Sequence, residues 1–260
     1  MFAFCNIPLI PLRSAPSHRS EMVTQLLFGE AYRIIDYHHT SGWAEIETQY
    51  DKYKGFIDIN QIVLIHESTY EQYEKDLFQV APSQISIWDK KRGFSFPISA
   101  GSTLLIDKEN RMRLGAELFE IPVFPKLEND SFSNQLKRTV SLFMNAPYLW
   151  GGRSMFGVDC SGFNQLVFKI VGKKLPRDAS QQAVLGEKIP SIAQALCGDL
   201  AFFHDKNGRI THTGLILDNQ TIIHASGKVR IDTLDEKGIF CLERNEYSHG
   251  LHSVRRCFCC

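Results

Sequence analysis

The segment best suited to chemistry is Asp159-Cys160-Ser161-Gly162-Phe163. From Phe163 onward, Leu166, Val167, Ile170 and Val171 follow at i+3, i+4, i+7 and i+8, which predicts a helix that buries this face. Asp159 suits the N-cap, and Gly172 suits the position just past the end. Cys160 then falls in the first turn, where unpaired N–H groups and the helix dipole favour an anion. With a cation beside it, a thiol there is expected to drop from about 8.5 into the range of about 3.5–7.5. The competing reading is an inert core cysteine. Cys160 lies off the apolar stripe, beside a cap and after a glycine-rich loop, which favours the nucleophile.

A cysteine nucleophile needs an imidazole, and the imidazole needs a group to orient it. His212 starts a strand-like run, His212-Thr213-Gly214-Leu215-Ile216-Leu217, and His224 lies in the next, Ile222-Ile223-His224-Ala225. If Asp218-Asn219-Gln220 forms a three-residue loop, Leu217 pairs with Thr221 and Gly214 sits opposite His224. Both histidines then share a face as diagonal neighbours. A two-residue loop would put them on opposite faces, so register decides. His204, His249 and His252 sit in polar segments and read as solvent-exposed. Arg177 and Asp178 read, on residue chemistry alone, as a surface ion pair.

The elements that must hold these residues come in three textures. Residues 1–66 carry short β-branched and aromatic runs (Phe28–Ile35, Gly42–Ile46, Tyr53–Asp58) separated by turn residues, which suggests a small barrel. The polar stretch Ser68–Lys75 reads as a linker. Residues 67–125 repeat the texture, with strand candidates at Ser86–Trp88, Phe94–Phe96, Ser102–Ile106 and Glu117–Ile121, and Pro122 and Pro125 mark a boundary. In residues 126–260 the pattern changes. Phe132, Leu136, Val140 and Phe143 have helical spacing behind a cap at Asp130 or Ser131, and strand-like runs follow at Asp199–Phe203, His212–Leu217 and Thr221–Ala225. Helices first and antiparallel strands after make an α+β domain.

Composition narrows the function classes. The 260 residues balance 29 Lys+Arg against 29 Asp+Glu, so a generic nucleic-acid binder is disfavoured. Hydrophobic residues at 43% and charged residues at 22% exclude a disordered or collagen-like chain. No apolar run approaches the roughly 18 residues of a membrane span. The start, Met1 to Pro8, lacks the basic region of a signal peptide. The chain therefore reads as cytoplasmic if the sequence is complete, and as periplasmic or secreted if a leader was removed. Seven cysteines without paired spacing form no disulfide framework. The Cys257-Phe258-Cys259-Cys260 tail has no matching pair to complete a metal site, so neither a metal nor a cofactor is expected.

Six segments in order, Tyr148-Leu149-Trp150-Gly151-Gly152, Asp159-Cys160-Ser161-Gly162-Phe163, Leu175-Pro176-Arg177-Asp178, Gly198-Asp199-Leu200-Ala201-Phe202-Phe203, His212-Thr213-Gly214-Leu215 and Ile223-His224-Ala225, resemble the successive motifs of the NlpC family of papain-like cell-wall cysteine peptidases. The resemblance implies Cys160 as nucleophile, His212 as general base, His224 as its orienting partner and Tyr148 as an oxyanion donor with the Cys160 N–H. Gly42-Trp43 and Tyr53-Lys54-Gly55-Phe56 are similar to the bacterial SH3-like domains that precede this peptidase in a subgroup. The implied architecture is a C-terminal papain-like domain after two small all-β SH3-like barrels. In that subgroup the γ-D-glutamyl–diamino acid bond of peptidoglycan stem peptides is cut when the N-terminal L-Ala is free. The resemblance then implies that Asp159, Ser161, Tyr53 and Glu21 hold the amine. Asp178, with Arg177 beside it, would lie on the diamino-acid side, where Ala179 stands in place of a Ser found in some relatives. A catalytically idle wall-binding protein and an acyltransferase on the same scaffold remain the alternatives.

Overall fold

The computed structural model describes residues 1–75, 77–122 and 130–258. The expected boundary at Pro125 and the tail residues Cys259 and Cys260 lie outside them. The chain divides into two compact units: Met1–Leu127 with Trp150–Met155, and Glu128–Leu149 with Phe156–Cys260. No helix among the described residues is long and apolar enough to cross a membrane.

In the first unit, seven antiparallel strands lie in the spatial order Met22–Leu27, Leu9–Arg13, Lys54–Asp58, Trp43–Thr48, Ala31–His38, Phe2–Phe4 and Val63–Ile65. Side chains alternate between the two faces of a strand. Ala3 and Cys5 enter one apolar cluster with Ile10, Leu26, Tyr32 and Ile46, whereas Phe4 enters a second with Phe28, Ala31 and Ile65. That second cluster is completed by Ile87, Ile98, Met112 and Phe119. These come from the strands Ile85–Asp89, Phe94–Ile98, Arg111–Leu114 and Glu117–Glu120 of a four-stranded sheet, or from their ends. The β texture expected over residues 67–125 is therefore present, and it shares its core with the strands before it.

Ser68–Lys75 is not a linker. Glu67–Glu74 is an α-helix capped by the His66 side chain, and its Tyr70 and Tyr73 are buried in the shared cluster. The polarity that suggested a linker belongs to the other face, where Glu71 and Lys75 form an exposed i,i+4 pair. A helix needs only one apolar stripe, so two tyrosines three residues apart suffice to dock it.

In the second unit, the helix Phe132–Ser141 is capped by Ser131 and buries Leu136 and Val140, as its spacing predicts. A seven-stranded sheet runs Glu187–Ile189, Glu246–Arg256, Leu200–His204, Ile210–Ile216, Thr221–Ser226, Lys228–Asp235 and Gly238–Cys241. The last strand also pairs with Glu246–Arg256, so six of the strands close into a ring. Its apolar filling includes Ala201, Phe203, Ile216, Ile222, Leu234 and Ile239.

Truncating Tyr73 to alanine is expected to cost about 3–5 kcal/mol, the range for deleting a buried ring. Glu71→Ala on the same helix should stay within about 0.5 kcal/mol. Urea unfolding of both variants checks this, and an unchanged midpoint for Tyr73→Ala would return the segment to a linker.

Candidate active site

Cys160–Ile170 forms an α-helix capped by Asp159, whose carboxylate accepts from the Gly162 N–H at 2.7 Å. It ends as the sequence implied. The Lys173 N–H reaches the Phe168 carbonyl at 2.8 Å and the Gly172 N–H reaches Lys169 at 3.1 Å, with Gly172 at φ +75°. That left-handed turn is the one a glycine closes without strain.

Asp159 does more than cap. The Arg177 guanidinium donates to both of its oxygens, through Nη1 at 3.0 Å and through Nη2. Nη1 also reaches the Ser161 hydroxyl at 3.0 Å, and that hydroxyl donates back to Asp159 at 3.3 Å. Arg177 is 2% exposed. The expected surface pair of Arg177 with Asp178 is thus replaced by a buried pair with Asp159, eighteen positions back in the sequence. Asp178 instead starts the short helix Ala179–Gln182, its N–H donating to the Gln181 side chain at 3.1 Å.

The hairpin adopts the three-residue loop. Leu217 donates to Thr221 at 3.0 Å, and Gly214 pairs with His224. His212 and His224 therefore share a face, and His212 Nε2 lies 2.8 Å from His224 Nδ1. The same face carries Ile216 and Ile222 into the ring's filling, so the histidines continue its apolar interior toward one end. A Cβ on Gly214 would come within 2.8 Å of the His224 Cβ. Only a hydrogen fits between the two strands there.

Two groups that sequence reading passed over complete the cluster. Asp232 Oδ2 lies 3.0 Å from His224 Nε2, and Asp232 is gripped in turn by Arg230 through Nη2 at 2.8 Å. The signal was present: Gly227 turns the chain so that His224 pairs with Arg230 and Ile222 with Asp232, placing both charged residues on the His224 face. The second group is His249. Expected in solvent, it is half-buried and lies flat against His212, with ring centroids 4.1 Å apart and planes at 23°. It arrives from the strand Glu246–Arg256, which closes the ring, and local sequence polarity says nothing about that closure. His204 and His252 are exposed, as expected.

His212, His224 and His249 each offer a ring nitrogen within 4.8 Å of the others, a spacing that suits a divalent cation. Stacking works against one. The in-plane lone pairs of His212 and His249 run side by side rather than converging, and His212 and His224 already share a hydrogen bond. The arrangement is better suited to passing a proton.

The thiol departs from its expected chemistry. Burial pushes Cys160 up to about 11, the Asp159 carboxylate adds to this, and backbone hydrogen bonds from Thr213 and Ser161 and the Arg177 charge only partly offset it. The rise from 9.0 amounts to about 3 kcal/mol against the thiolate. A helix N-terminus supplies roughly 0.3–1 kcal/mol in its favour, rising to about 2 kcal/mol. Burial wins. It also holds His212 well below 6.5, aided by its His249 and His224 neighbours. Both partners rest uncharged. Tyr148 is pushed up to about 12 by burial and then by Cys160 and Asp159, so it keeps its proton and can donate beside the thiol. Its backbone is pinned by the Gly227 carbonyl at 2.9 Å and by a bridge to Val158.

Glu21 and Tyr53 belong to the first unit. The Glu21 carboxylate accepts from the Trp150 indole N–H at 2.6 Å, and Tyr53 is partly buried where its N–H donates to Thr48 at 2.9 Å.

Residues 145–240, which span Tyr148, Cys160, His212 and His224, match the NlpC/P60 family model. The chain carries an NlpC/P60 domain. Ahead of it, residues 12–62 match the bacterial dipeptidyl-peptidase SH3 domain. A γ-D-glutamyl-L-lysine dipeptidyl-peptidase of Bacillus subtilis is 37% identical over 139 residues, which is 52% of this chain and 44% of that protein. Dipeptidyl-peptidase 6 of Lysinibacillus sphaericus is 24% identical over 87% of this chain and 89% of its own length. A solved NlpC/P60 family protein from Bacillus cereus shares the fold across 99% of both chains, with a TM-score of 0.80 at 20% identity. This chain thus spans less than half the length of the Bacillus subtilis relative that it matches.

Two outcomes follow from the site's packing. Alkylation of Cys160 by iodoacetamide, followed by peptide mass spectrometry, should accelerate with pH through an apparent pKa above the ordinary thiol value of about 8.5. A rate already level at about pH 7 would mean a thiolate at rest instead. Gly214→Ala should cost about 1–3 kcal/mol in thermal unfolding as His224 is pushed aside, and wild-type stability would show that the strands can spread.

Proposed function

We propose that this chain is a cysteine peptidase that hydrolyses the γ-D-glutamyl–diamino acid bond of peptidoglycan stem peptides with a free N-terminal L-Ala, releasing L-Ala-D-Glu. One observation carries the reading: a cysteine at a capped helix start, hydrogen-bonded to the backbone of Thr213, immediately after a histidine that is itself hydrogen-bonded to a second histidine. The γ-D-glutamyl-L-lysine dipeptidyl-peptidase activity for which the Bacillus subtilis relative is named supports the choice of bond.

In this reading the Cys160 proton passes to His212, and the sulfur attacks the γ-carbonyl of D-Glu. The oxyanion is held by the Cys160 N–H and the Tyr148 hydroxyl. The C–N bond then breaks as His212 returns the proton to the leaving amine of the diamino acid. Water, deprotonated by His212, hydrolyses the thioester and regenerates the thiol. Because thiol and imidazole start neutral, charge separates only when substrate excludes water and presents its carbonyl.

The free L-Ala amine requires acceptors, since a buried ammonium without partners is costly. We assign Asp159 and Ser161 to it, and Asp178 to the diamino-acid side. Arg177 contributes by holding Asp159 and Ser161 in place. An acylated terminus would lose its charge and leave those acceptors unpaired.

L-Ala-γ-D-Glu-L-Lys and its diaminopimelate counterpart are the direct test, with L-Ala-D-Glu followed by chromatography. The expected result is cleavage of the free peptides, a drop of at least about 10²-fold for the N-acetylated ones, and no turnover by Cys160→Ala. Turnover by Cys160→Ala, or equal rates on acetylated peptides, would overturn the mechanism or the amine site respectively. The acid limb of the pH–rate profile, set by His212 protonation, should lie well below 6.5, because burial lowers its pKa and only the neutral ring accepts the thiol proton; a limb at 6.5 or above would count against it.

A further inference from the structure

We propose that Asp232 is a positioning residue: through His224 it dictates which nitrogen of His212 is free to take the thiol proton. The geometry is a linear run of three side chains, His212 Nε2 to His224 Nδ1 at 2.8 Å and His224 Nε2 to Asp232 Oδ2 at 3.0 Å. His224 is 1% exposed and Asp232 7%. Water therefore has little part in choosing the proton positions.

The direction of the run follows from valence. A carboxylate has lone pairs and no proton, so His224 Nε2 must be the N–H. A neutral imidazole has a single N–H, which leaves His224 Nδ1 as acceptor. His212 Nε2 must then carry the hydrogen that fills the 2.8 Å contact, and the lone pair of His212 falls on Nδ1. One fixed anion thus sets two tautomers in succession, and the second leaves the base pointing its lone pair away from the run. With the tautomers reversed, His212 Nδ1 would carry a hydrogen and could not accept one.

Arg230 keeps this device in order. Its Nη2 lies 2.8 Å from Asp232 Oδ1 and its Nε 2.8 Å from Oδ2, so the carboxylate is fixed from behind in a two-point grip. It also balances the charge of the buried anion. The other charged or titratable groups facing the run are His249 on the closing strand, Arg244 near it, and Glu243 and Cys241 on Arg230. Among the described residues, it is Asp232 that hydrogen-bonds the far nitrogen of His224, so the choice of tautomer falls to Asp232.

When His212 takes the thiol proton it becomes a cation. The same run then places a carboxylate two hydrogen bonds away, with an imidazole between that can be polarised toward it. Asp232 touches neither substrate nor sulfur. Its effect on the reaction passes through His224, and it is distinct from holding the fold because it depends on an acceptor with no hydrogen.

The test replaces the anion by an amide of the same shape. Asp232→Asn can either accept from His224 Nε2 or donate to it, so both tautomers become available. The kinetic readout rests on the peptidase reading above: kcat should fall about 10²–10⁴-fold, as when an orienting aspartate is made an amide elsewhere, with KM within about threefold. Asp232→Glu, which restores the anion, should recover part of kcat. Independent of activity, ¹⁵N NMR of the histidine rings in the Cys160→Ala protein should show His212 and His224 both as Nε2–H, and a mixture once Asp232→Asn is added. The double variant Asp232→Asn/Arg230→Gln removes both charges together, keeps the protein foldable if a lone Arg230 destabilises it, and should show the same mixture. Unchanged tautomers in either variant, or a kcat within about twofold of wild type, would overturn the proposal. Cleavage that survives Cys160→Ala would overturn the peptidase reading instead, and the NMR result would still decide the tautomers.

Discussion

The ion pair between Asp159 and Arg177 is the constraint to which most of the second unit's chemistry can be traced. A carboxylate at this depth is stable only with full hydrogen bonding, and it obtains this from the Gly162 N–H, the Ser161 hydroxyl and both ends of the guanidinium. Satisfying the anion fixes the first turn of the helix, and the first turn fixes the thiol. The same anion raises the energy of a thiolate next to it. The residue that positions Cys160 therefore also keeps it protonated. Positioning and activation, which a capped helix start suggests go together, are opposed here, and in the proposed reaction activation falls to the histidine run.

That run occupies a place an apolar core would normally hold. Gly214, Ile216, Ile222 and Leu234 show what the inner face of the ring is made of, and His212, His224 and Asp232 extend the same face in polar form. A buried polar chain is tolerable when each member is paired, and Arg230 completes the pairing at the far end. The ring also explains His249. Closure between Gly238–Cys241 and Glu246–Arg256 brings a distant strand around to cover the exposed side of His212.

Local features were legible in the sequence, and effects that need the third dimension were not. The Cys160 helix and both its ends follow from Asp159, the apolar spacing and Gly172. The hairpin follows once a three-residue loop is assumed, and that assumption alone put His212 and His224 on one face. The strand Lys228–Asp235 was passed over although Val229, Arg230, Ile231 and Asp232 alternate, and its alternation misleads because Ile231 is exposed while Asp232 is buried. Arg177 was misread because its neighbour in sequence, Asp178, is the obvious partner, while its neighbour in space is a carboxylate on another element. The thiol's pKa was misjudged for a similar reason: a helix start is visible in sequence, whereas burial is a property of everything packed around it. In the first unit, polarity misled in the opposite direction at Glu67–Glu74, where two tyrosines outweigh six polar residues because a docked helix needs only one good face.

A thiol that is un-ionised at rest has a consequence outside catalysis. Peroxides and disulfides react with the thiolate, so the fraction of time a cysteine spends in that form sets its rate of damage. With burial holding Cys160 up to about 11, that fraction is small at neutral pH until a partner carbonyl arrives. The same desolvation that makes the sulfur a reluctant nucleophile also makes it durable under oxidising conditions.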